Sequence, residues 1–260
     1  MLSRIATLLV LVVMGTQLAY AEQIFTTLRS DADKTIFDGK WTFEQEWKST
    51  SEDIMKFDDD YRLSIKTGHD YENLYVLIDF ISDKSIQKFS DMGIVCIYNK
   101  MNQNYTANDL YCFSIALGSH TPITLQGDYM LAQTGFFKKV QNHPKLIAVG
   151  GTSDNHDRYS DIPHATYEFK IPLEIIGKSD TYGFYVAAYD AKTAKKYGWP
   201  QNIATDKYPF VPRPEKWGEL ISPDKSIPEF NWSLLVLILS LTLSIYLTKF
   251  KTSLICYMKL

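Results

Sequence analysis

The feature that most limits the fold of this chain is a succession of short apolar runs separated by polar turns. The stretch "YRLSIKTGHDYENLYVLIDF" places an alternating run and a mostly apolar run on either side of a polar turn. The same layout returns in "MGIVCIYN" and "LYCFSIAL", which are joined by the polar "NKMNQNYTAND". Runs of this length, rich in aromatic and β-branched residues, are typical of hairpin strands. The sequence therefore predicts an all-β fold, an antiparallel β-sandwich.

Later runs extend the same pattern toward the C-terminus. They are "KLIAVGGTS", "HATYEFKIPL" and "YGFYVAAYDA". Only "IPLEIIGK" favours a short helix. From Gly198 onward prolines accumulate, and this part is predicted to be an irregular closing loop followed by a stalk.

Composition and motifs limit what the protein can do. The net charge of −3 over 260 residues argues against a nucleic-acid-binding protein. Aromatic residues make up 14% of the chain, which fits strands better than helices. The sequence contains no Gly-x-Ser-x-Gly, His-Glu-x-x-His, P-loop or Rossmann glycine pattern. We therefore predict a non-catalytic protein.

The N-terminus has the layout of a secretory signal. Arg4 precedes an apolar stretch, and "AYA" supplies small residues before a cleavage point after Ala21. Residues 1–21 are thus predicted to be a signal peptide, and residues 22–221 the exported domain. The alternative is an uncleaved N-terminal anchor.

The C-terminus contains an apolar run long enough to span a membrane. No residue from Phe230 to Thr248 is charged, and a bilayer core requires about 17–25 such residues. Lysines follow the run, and positive flanks favour the cytoplasmic side. The sequence predicts a stalk at 222–229, a single membrane span at 230–248 and a cytoplasmic tail at 249–260. The main domain is then extracellular at the cell membrane.

The start of this run resembles the PEF-type C-terminal sorting signals of archaeal exported proteins. Pro228, Glu229 and Phe230 are followed by the apolar span and then by basic residues. The chain continues beyond the basic cluster. Plain retention as a single-span anchor is therefore the alternative to sorting and cleavage.

Two cysteines lie in the two predicted strands of the second hairpin. Facing strands bring Cα atoms to about 5.5 Å, which is within disulfide range. An oxidising compartment favours the bond, so a Cys96–Cys112 disulfide is predicted, with two buried thiols as the alternative. The loop between these strands contains the sequon "NYT", which predicts a glycan on Asn104.

Four segments resemble the family 9 carbohydrate-binding modules and their DOMON-like relatives, which are β-sandwich domains. These segments are "DGKWTFEQEW", "LSIKTGHDYENLYVLIDFISD", "YEFKIPL" and "PEKWGEL", within residues 31–220. The positions that match the family pattern are Asp38, Gly39, Trp47, Tyr75, Asp79, Glu168, Ile171 and Pro172. The resemblance implies a binding module for carbohydrate or cell-envelope glycan. A structural cell-envelope protein without a small ligand is the alternative.

Sugar recognition needs flat aromatic faces beside polar groups. Trp199, in the polar stretch "KKYGWPQN", is the leading prediction for a stacking platform. Tyr159 and Trp217 are the further predicted ligand-binding residues. A wedge that closes one end of the sandwich is the alternative for Trp199. Packing is the favoured interpretation of both Trp47 and Trp217, since the resemblance implies that family members use those positions for packing.

The loop "GTSDNHDRYSDIPH" gathers the oxygen ligands that calcium prefers. It predicts a structural calcium site formed by Asp154, Asn155, Asp157 and Asp161, with a solvated charged loop as the alternative. The resemblance to DOMON domains implies a haem-binding redox domain as a further alternative, with ligation through Met and His or Lys. The candidate ligands are Met92, Met130, His69, His120 and His143. Covalent haem attachment would need Cys-x-x-Cys-His, which the chain lacks. Calcium, inferred from the oxygen ligands of the loop, is the predicted cofactor.

Overall fold

A computed structural model describes most of the predicted exported domain. The described residues are 24–29, 34–43, 45–100, 109–127, 137–201, 203 and 211–222. All of them fall within the unit Met1–Pro223. The predicted signal peptide, membrane span, cytoplasmic tail and glycan site at Asn104 lie outside the described residues, as does all but the first residue of the predicted stalk. Within these ranges, no helix is long and apolar enough to cross a membrane.

The regular secondary structure of the described residues is almost all strand. A short helix α1 (Leu173–Ile176) and a 3-10 helix (Pro214–Lys216) accompany the strands. The strands are β1 (Ile24–Thr26), β2 (Leu28–Arg29), β3 (Ser51–Lys56), β4 (Arg62–His69), β5 (Asn73–Phe80), β6 (Met92–Asn99), β7 (Leu110–Ala116), β8 (Ile123–Gly127), β9 (Lys138–Val140), β10 (Ile147–Thr152), β11 (Ala165–Pro172), β12 (Thr181–Asp190), β13 (Lys195–Trp199) and β14 (Gly218–Ile221).

The strands form two sheets that enclose the main apolar core. The first sheet runs β1-β14-β12-β6-β7-β8-β9, and β13 pairs with the second half of β12. The second runs β10-β11-β5-β4-β2, and β3 shares the outer edge of β4 with β2. Side chains from both sheets, such as Val76, Ile78, Val95 and Phe184, meet in one buried cluster. The predicted β-sandwich is confirmed for the described residues, and its strand pairs are antiparallel except β1–β14 and β2–β4, which are parallel.

Both predicted hairpins and the predicted short helix are present. Strands β4 and β5 pair antiparallel with Ser64 opposite Asp79, and β6 and β7 pair antiparallel with Cys96 opposite Cys112. Helix α1 occupies the middle of "IPLEIIGK". These elements are encoded locally, because alternation and turn residues lie within one short window of sequence.

The predicted Cys96–Cys112 disulfide is also present. Along β6, Val95 and Ile97 enter the core between the sheets, so the alternating Cys96 points to the opposite face. There the cysteines join a second buried cluster with Trp217. The bond therefore lies under a cover on the outer face of the first sheet.

The predicted irregular segment after Gly198 is only partly irregular. Residues Gly218–Ile221 form β14, which pairs antiparallel with β12 and parallel with β1. Leu220 within it is completely buried. The prolines that suggested a loop lie outside these four residues, and the backbone N–H groups of β14 can therefore join the sheet.

Replacing both cysteines by alanine is expected to lower the free energy of unfolding by about 3 kcal/mol, because the bond closes a loop with a sequence separation of 16. Urea unfolding of the parent and of C96A/C112A measures the difference. Adding a reductant should destabilise the parent and leave the double variant unchanged. A loss below about 1 kcal/mol would mean that the hairpin is already closed in the unfolded chain.

Candidate functional site

The segment 34–50 lies over the outer face of the second sheet and is tied to β11. The Glu168 carboxylate accepts the Gly39 backbone N–H at 2.7 Å and the Trp47 Nε1–H at 3.1 Å. The Thr166 hydroxyl donates to the Gly39 carbonyl. Gly39 has φ +86°, and a Cβ there would lie 2.6 Å from the Gly151 Cα. Only glycine fits this close approach.

Glu46 holds the same segment in a compact loop. Its two carboxylate oxygens accept the backbone N–H groups of Ile36 and Thr42, each at 2.7 Å. The Thr42 hydroxyl in turn donates to Asp38 at 2.6 Å. These bonds fix the stretch that carries Trp41 and the residues next to it.

A cavity of about 640 Å³ opens beside this loop. It is lined by Trp41, Thr42, Phe43, Lys48, His156 and Arg158. Phe43 is 41% exposed, whereas Trp41 is only 7% exposed and donates its Nε1–H to the Phe43 carbonyl at 2.7 Å. The exposed apolar surface is therefore mainly the Phe43 ring, supported by Trp41.

The cavity has a positive character. None of the described residues that line it is acidic. Lys48 and Arg158 form no ion pair with any described residue, whereas nearby Asp154 is neutralised by Lys40 at 2.8 Å. The Arg158 guanidinium lies 5.7 Å from the Trp41 ring centre, within cation–π range. The cavity thus combines aromatic surface with cationic donors that have no anionic partner in the described part of the chain.

Tyr159, one of the predicted ligand-binding residues, lies beside Trp41 with their ring centres 6.3 Å apart. Its hydroxyl donates to Glu52, which also accepts the Ser64 hydroxyl at 2.9 Å and pairs with Lys66 at 3.3 Å. Burial raises the pKa of Tyr159, and the hydrogen bond to Glu52 adds to that shift. Burial lowers the pKa of Lys66. Tyr159 therefore packs against Trp41, and its hydroxyl is already hydrogen-bonded to Glu52.

The two predicted tryptophan platforms lie in the interior. Trp199 is 4% exposed, and its ring packs edge-on against Phe25 at 5.5 Å and at a tilt against Phe184 at 5.9 Å. The prediction of an exposed Trp199 is wrong, because the residue ends β13 instead of standing in a loop and its ring enters the core. Trp217 is 5% exposed and stacks on Tyr185. The packing alternatives describe both residues.

A second cavity of about 590 Å³ lies beside β13. Its lining includes Asp59, Lys195 and Tyr197. These groups already satisfy one another, since Asp59 accepts from the Lys195 ammonium at 2.9 Å and from the Tyr197 hydroxyl at 2.8 Å. The cavity beside Phe43 is therefore the better candidate for a ligand site.

The four predicted calcium ligands do not come together as a set. Asp154 pairs with Lys40, and Asn155 and Asp161 are exposed. Only Asp157 joins a cluster of metal-binding side chains, and its companions there are Asp79 and His164. The sequence grouped residues of one loop, whereas the fold turns Asp157 inward, away from the surface carboxylates.

His164 links Ser153 and Asp79 in a buried chain of hydrogen bonds. The His164 Nε2 lies 2.6 Å from an Asp79 oxygen, and Nδ1 lies 2.8 Å from the Ser153 hydroxyl. Burial alone would lower the pKa of His164, but the bond to Asp79 and its charge outweigh this and raise it. The ring nitrogens are used in the opposite sense to a serine-hydrolase triad. All three side chains are buried, so this arrangement stabilises the fold and offers no open nucleophile.

Two of the candidate haem ligands, His69 and His143, have other partners. The ring nitrogens of His69 lie 3.2 Å from the Thr27 hydroxyl and 3.1 Å from that of Ser222. His143 lies 3.0 Å from Glu174. His120 is exposed and Met92 is half-buried. Met130 lies outside the described residues.

The sequence predictions did not single out the residues that line the cavity. Arg158 and His156 lie in the loop predicted to bind calcium, and Trp41 and Phe43 lie in a segment noted only for its family resemblance. The signal that could have found them is the local pattern of aromatic, polar and aromatic residues in "WTF", three residues before Glu46, whose carboxylate accepts two backbone N–H groups of the loop. Their approach to the 154–161 loop is set by the fold and has no local signature.

Comparison with known proteins gives similar solved structures, among them two family 9 carbohydrate-binding modules. One is a family 9 carbohydrate-binding module from Caldicellulosiruptor kristjanssonii in complex with glucose, with 12% identity and a TM-score of 0.47, covering 79% of this chain and 100% of that chain. The other is a family 9 module from the same organism in complex with cellotriose, with 12% identity and a TM-score of 0.46, covering 79% of this chain and 98% of that chain. No protein-family model and no curated protein matches the sequence.

Proposed function

We propose that this protein is an exported, non-catalytic carbohydrate-binding module held at the cell surface by its C-terminal segment, and that the cavity beside Phe43 is its binding site. The observation that carries the proposal is the exposed Phe43 ring facing a cavity whose cationic side chains Lys48 and Arg158 form no ion pair with a described residue. A ring of this kind offers a flat face to a sugar, and polar groups around it fix the hydroxyls.

The size of the cavity supports a small-molecule ligand. Its volume of about 640 Å³ falls in the range of small-ligand sites, roughly 300–1,000 Å³. The Glu46 and Glu168 hydrogen bonds hold the loop in place before any ligand arrives. A preorganised loop reduces the entropy lost on binding.

The charge of the cavity favours an acidic sugar. Lys48 and Arg158 have no anionic partner among the described residues. A carboxylate or sulfate on the ligand would provide one, and Arg binds such groups through two parallel hydrogen bonds. The proposed ligand class is therefore a glycan that carries uronic acid or sulfate groups.

The location at the cell surface is supported by three features. The N-terminal pattern is that of a secretory signal, and the uncharged run from Phe230 to Thr248 has the length of a membrane span. The disulfide Cys96–Cys112 fits an oxidising compartment.

The proposal is tested by measuring binding of the full-length chain to neutral, uronate-containing and sulfated glycans. Phe43→Ala should weaken binding about 10-fold, which corresponds to about 1.4 kcal/mol of lost stacking. Arg158→Ala should selectively weaken binding to the acidic glycans, and added salt should reduce binding of the parent to the same glycans.

Tyr71→Ala is the matched control, because Tyr71 is an exposed aromatic residue that lines a different cavity. It should leave the affinity unchanged. Binding that survives Phe43→Ala at full strength would place the sugar elsewhere on the surface. A folded chain that binds no glycan would overturn the proposal and favour a structural cell-envelope protein.

A further inference from the structure

Three aspartates from distant parts of the chain converge at one end of the sandwich. Asp83 follows the end of β5, Asp91 immediately precedes β6, and Asp190 is the last residue of β12. One carboxylate oxygen from each lies within 4.8 Å of the others. All three residues are at most 1% exposed. The cluster therefore places three carboxylates between the two sheets.

The cluster has neutral hydrogen-bond donors and no cationic partner in the described chain. Asp91 accepts backbone N–H groups from Ala191 at 2.9 Å and Gln87 at 2.6 Å. Asp83 accepts only from Ser85, through one of its two oxygens, and its Oδ2 is buried without a partner. No described Lys, Arg or His forms an ion pair with any of the three aspartates. Three acidic groups this close and this buried repel one another unless a positive charge joins them.

A fourth polar group, which is not acidic, faces the same place. Tyr167, on β11, is completely buried, and its hydroxyl has no hydrogen-bond partner. Its ring is held against β6, since a Cβ on Gly93 would lie 2.5 Å from the Tyr167 Cγ. Burial raises the pKa of Tyr167, and the charges of Asp91, Asp83 and Asp190 raise it further. A buried hydroxyl without a hydrogen-bond partner, exposed to the charges of all three carboxylates, indicates a missing polar partner.

We propose that Asp83, Asp91 and Asp190 bind one structural calcium ion at this end of the sandwich, with the Tyr167 hydroxyl contacting the ion or a water on it. Ca²⁺ takes six to eight oxygens at about 2.3–2.6 Å. Two oxygens on opposite sides of one ion are then roughly 5 Å apart, so three oxygens that all lie within 4.8 Å of one another are close enough to share one ion. The ion would satisfy the orphaned Asp83 oxygen and join the first sheet to the second.

The chemistry of the donors selects a hard cation. All four groups offer oxygen, which suits Ca²⁺ and Mg²⁺, whereas zinc and copper sites normally include nitrogen or sulfur. Waters and backbone carbonyls of the turns would complete the shell. Ca²⁺ is favoured over Mg²⁺, because Mg²⁺ demands near-ideal octahedral geometry at 2.0–2.1 Å and gives up its water reluctantly.

The other cluster of metal-binding groups is a weaker candidate. In the group of Asp79, Asp157 and His164, the imidazole already faces Asp79 at 2.6 Å. A proton on that histidine supplies the positive charge that the carboxylates need. The Asp83 cluster contains no such group, so an external cation has a clear role there.

The direct test uses the full-length chain, unfolded and refolded once in EDTA and once in millimolar Ca²⁺, so that a trapped ion can exchange. Elemental analysis after dialysis should find one bound calcium per chain in the second sample. The Tm of the calcium form should exceed that of the EDTA form by roughly 5–10 °C when free Ca²⁺ is about 100 times its Kd. Tb³⁺ should also bind, with emission sensitised by the adjacent Tyr167.

The Asp83→Asn variant distinguishes a metal site from a cluster of protonated aspartic acids that binds no metal. Asparagine keeps an oxygen for the Ser85 bonds and replaces the orphaned oxygen with an uncharged group. With a metal site, the variant loses most of the calcium-induced rise in Tm. Without one, the variant melts higher than the parent in both buffers, because a buried like charge has been removed. Tyr167→Phe should reduce the calcium response without abolishing it.

Asp161→Asn and Asp157→Asn are the matched controls. Each removes one carboxylate from the 154–161 loop, and both should retain the full calcium response. Loss of the response in either, with Asp83→Asn unaffected, would overturn the proposal and place the ion at the loop. A Tm that is the same in EDTA, Ca²⁺ and Mg²⁺, with no calcium retained, would also overturn it. A response to Mg²⁺ equal to that of Ca²⁺ would overturn the choice of ion.

Discussion

Trp47→Ala is expected to lower the free energy of unfolding by about 3–5 kcal/mol, the usual cost of deleting a buried tryptophan. Trp47 is completely buried among Trp41, Tyr75 and Leu77. Its removal also takes the Nε1–H donor away from the buried Glu168 carboxylate. A loss of this size is a large part of the total stability of a domain, about 5–15 kcal/mol. Urea unfolding followed by tryptophan-independent circular dichroism measures it.

Two further variants identify the source of the loss. Trp47→Phe keeps most of the ring and removes only the N–H, so it should cost about 1–3 kcal/mol. Phe43→Ala removes a half-exposed ring from the same segment and should stay within about 0.5 kcal/mol of the parent. If Trp47→Ala were as mild as Phe43→Ala, segment 34–50 would not be part of the cooperative fold.

The Trp47→Ala variant also links stability to the proposed function. Trp47 and Glu168 hold the segment that presents Trp41 and Phe43 to the cavity. Loosening that segment should weaken glycan binding, although Trp47 itself does not line the cavity. Binding measured well below the lowered Tm distinguishes this effect from general unfolding.

Local features of the fold could be predicted from the sequence, because their signals are local. The hairpins β4-β5 and β6-β7 show alternation within a few residues, and the Cys96–Cys112 bond follows from two facing strands. The exposure of a residue is a different matter. Trp199 follows a glycine and precedes a proline, as a loop residue would, yet the pairing of β13 with β12 directs its ring inward.

The residues that carry the family resemblance hold distant segments of the fold together. Gly39 and Trp47 both bond to Glu168, which lies more than 100 residues away in sequence. Tyr75 packs beneath the same segment. Their pattern along the chain is therefore visible in the sequence, but it indicates how the loop is attached and not what the loop binds. The ligand-facing residues beside them follow no such pattern.

The aspartate cluster is another group of residues that the sequence pattern alone could not locate. Asp83, Asp91 and Asp190 form no linear motif, and 99 residues separate the last two (190 − 91). The sequence instead pointed to the 154–161 loop, where acidic residues are adjacent. Adjacent acidic side chains on a loop diverge into solvent, whereas residues at the ends of neighbouring strands converge when the sheets pack.

Glu168 is expected to make the stability of the protein fall as the pH rises from about 5 to 8. Burial raises the pKa of this carboxyl from 4.5 to about 8, and outweighs the Gly39 and Trp47 N–H donors, which favour the charged form. A carboxyl whose pKa is higher in the folded chain holds its proton there after the unfolded chain has released it. The contribution of Glu168 to the free energy of unfolding is therefore complete below pH 4.5 and is lost as the pH passes through 8. Between pH 5 and 8 the loss amounts to about 3–4 kcal/mol.

Glu168→Gln isolates this contribution from those of the other buried acids, because glutamine does not titrate. The free energy of unfolding of the variant is lower by about 1 kcal/mol at every pH, because its amide N–H₂ group cannot accept one of the two hydrogen bonds that the carboxyl accepts. The difference in unfolding free energy between parent and variant should shift in the variant's favour by about 3–4 kcal/mol from pH 5 to pH 8. A difference that does not change with pH would mean that the two donors keep Glu168 ionised throughout. The loop that carries Phe43 would then be held by a buried charge, and its attachment, like any glycan binding that depends on it, would be insensitive to pH in this range.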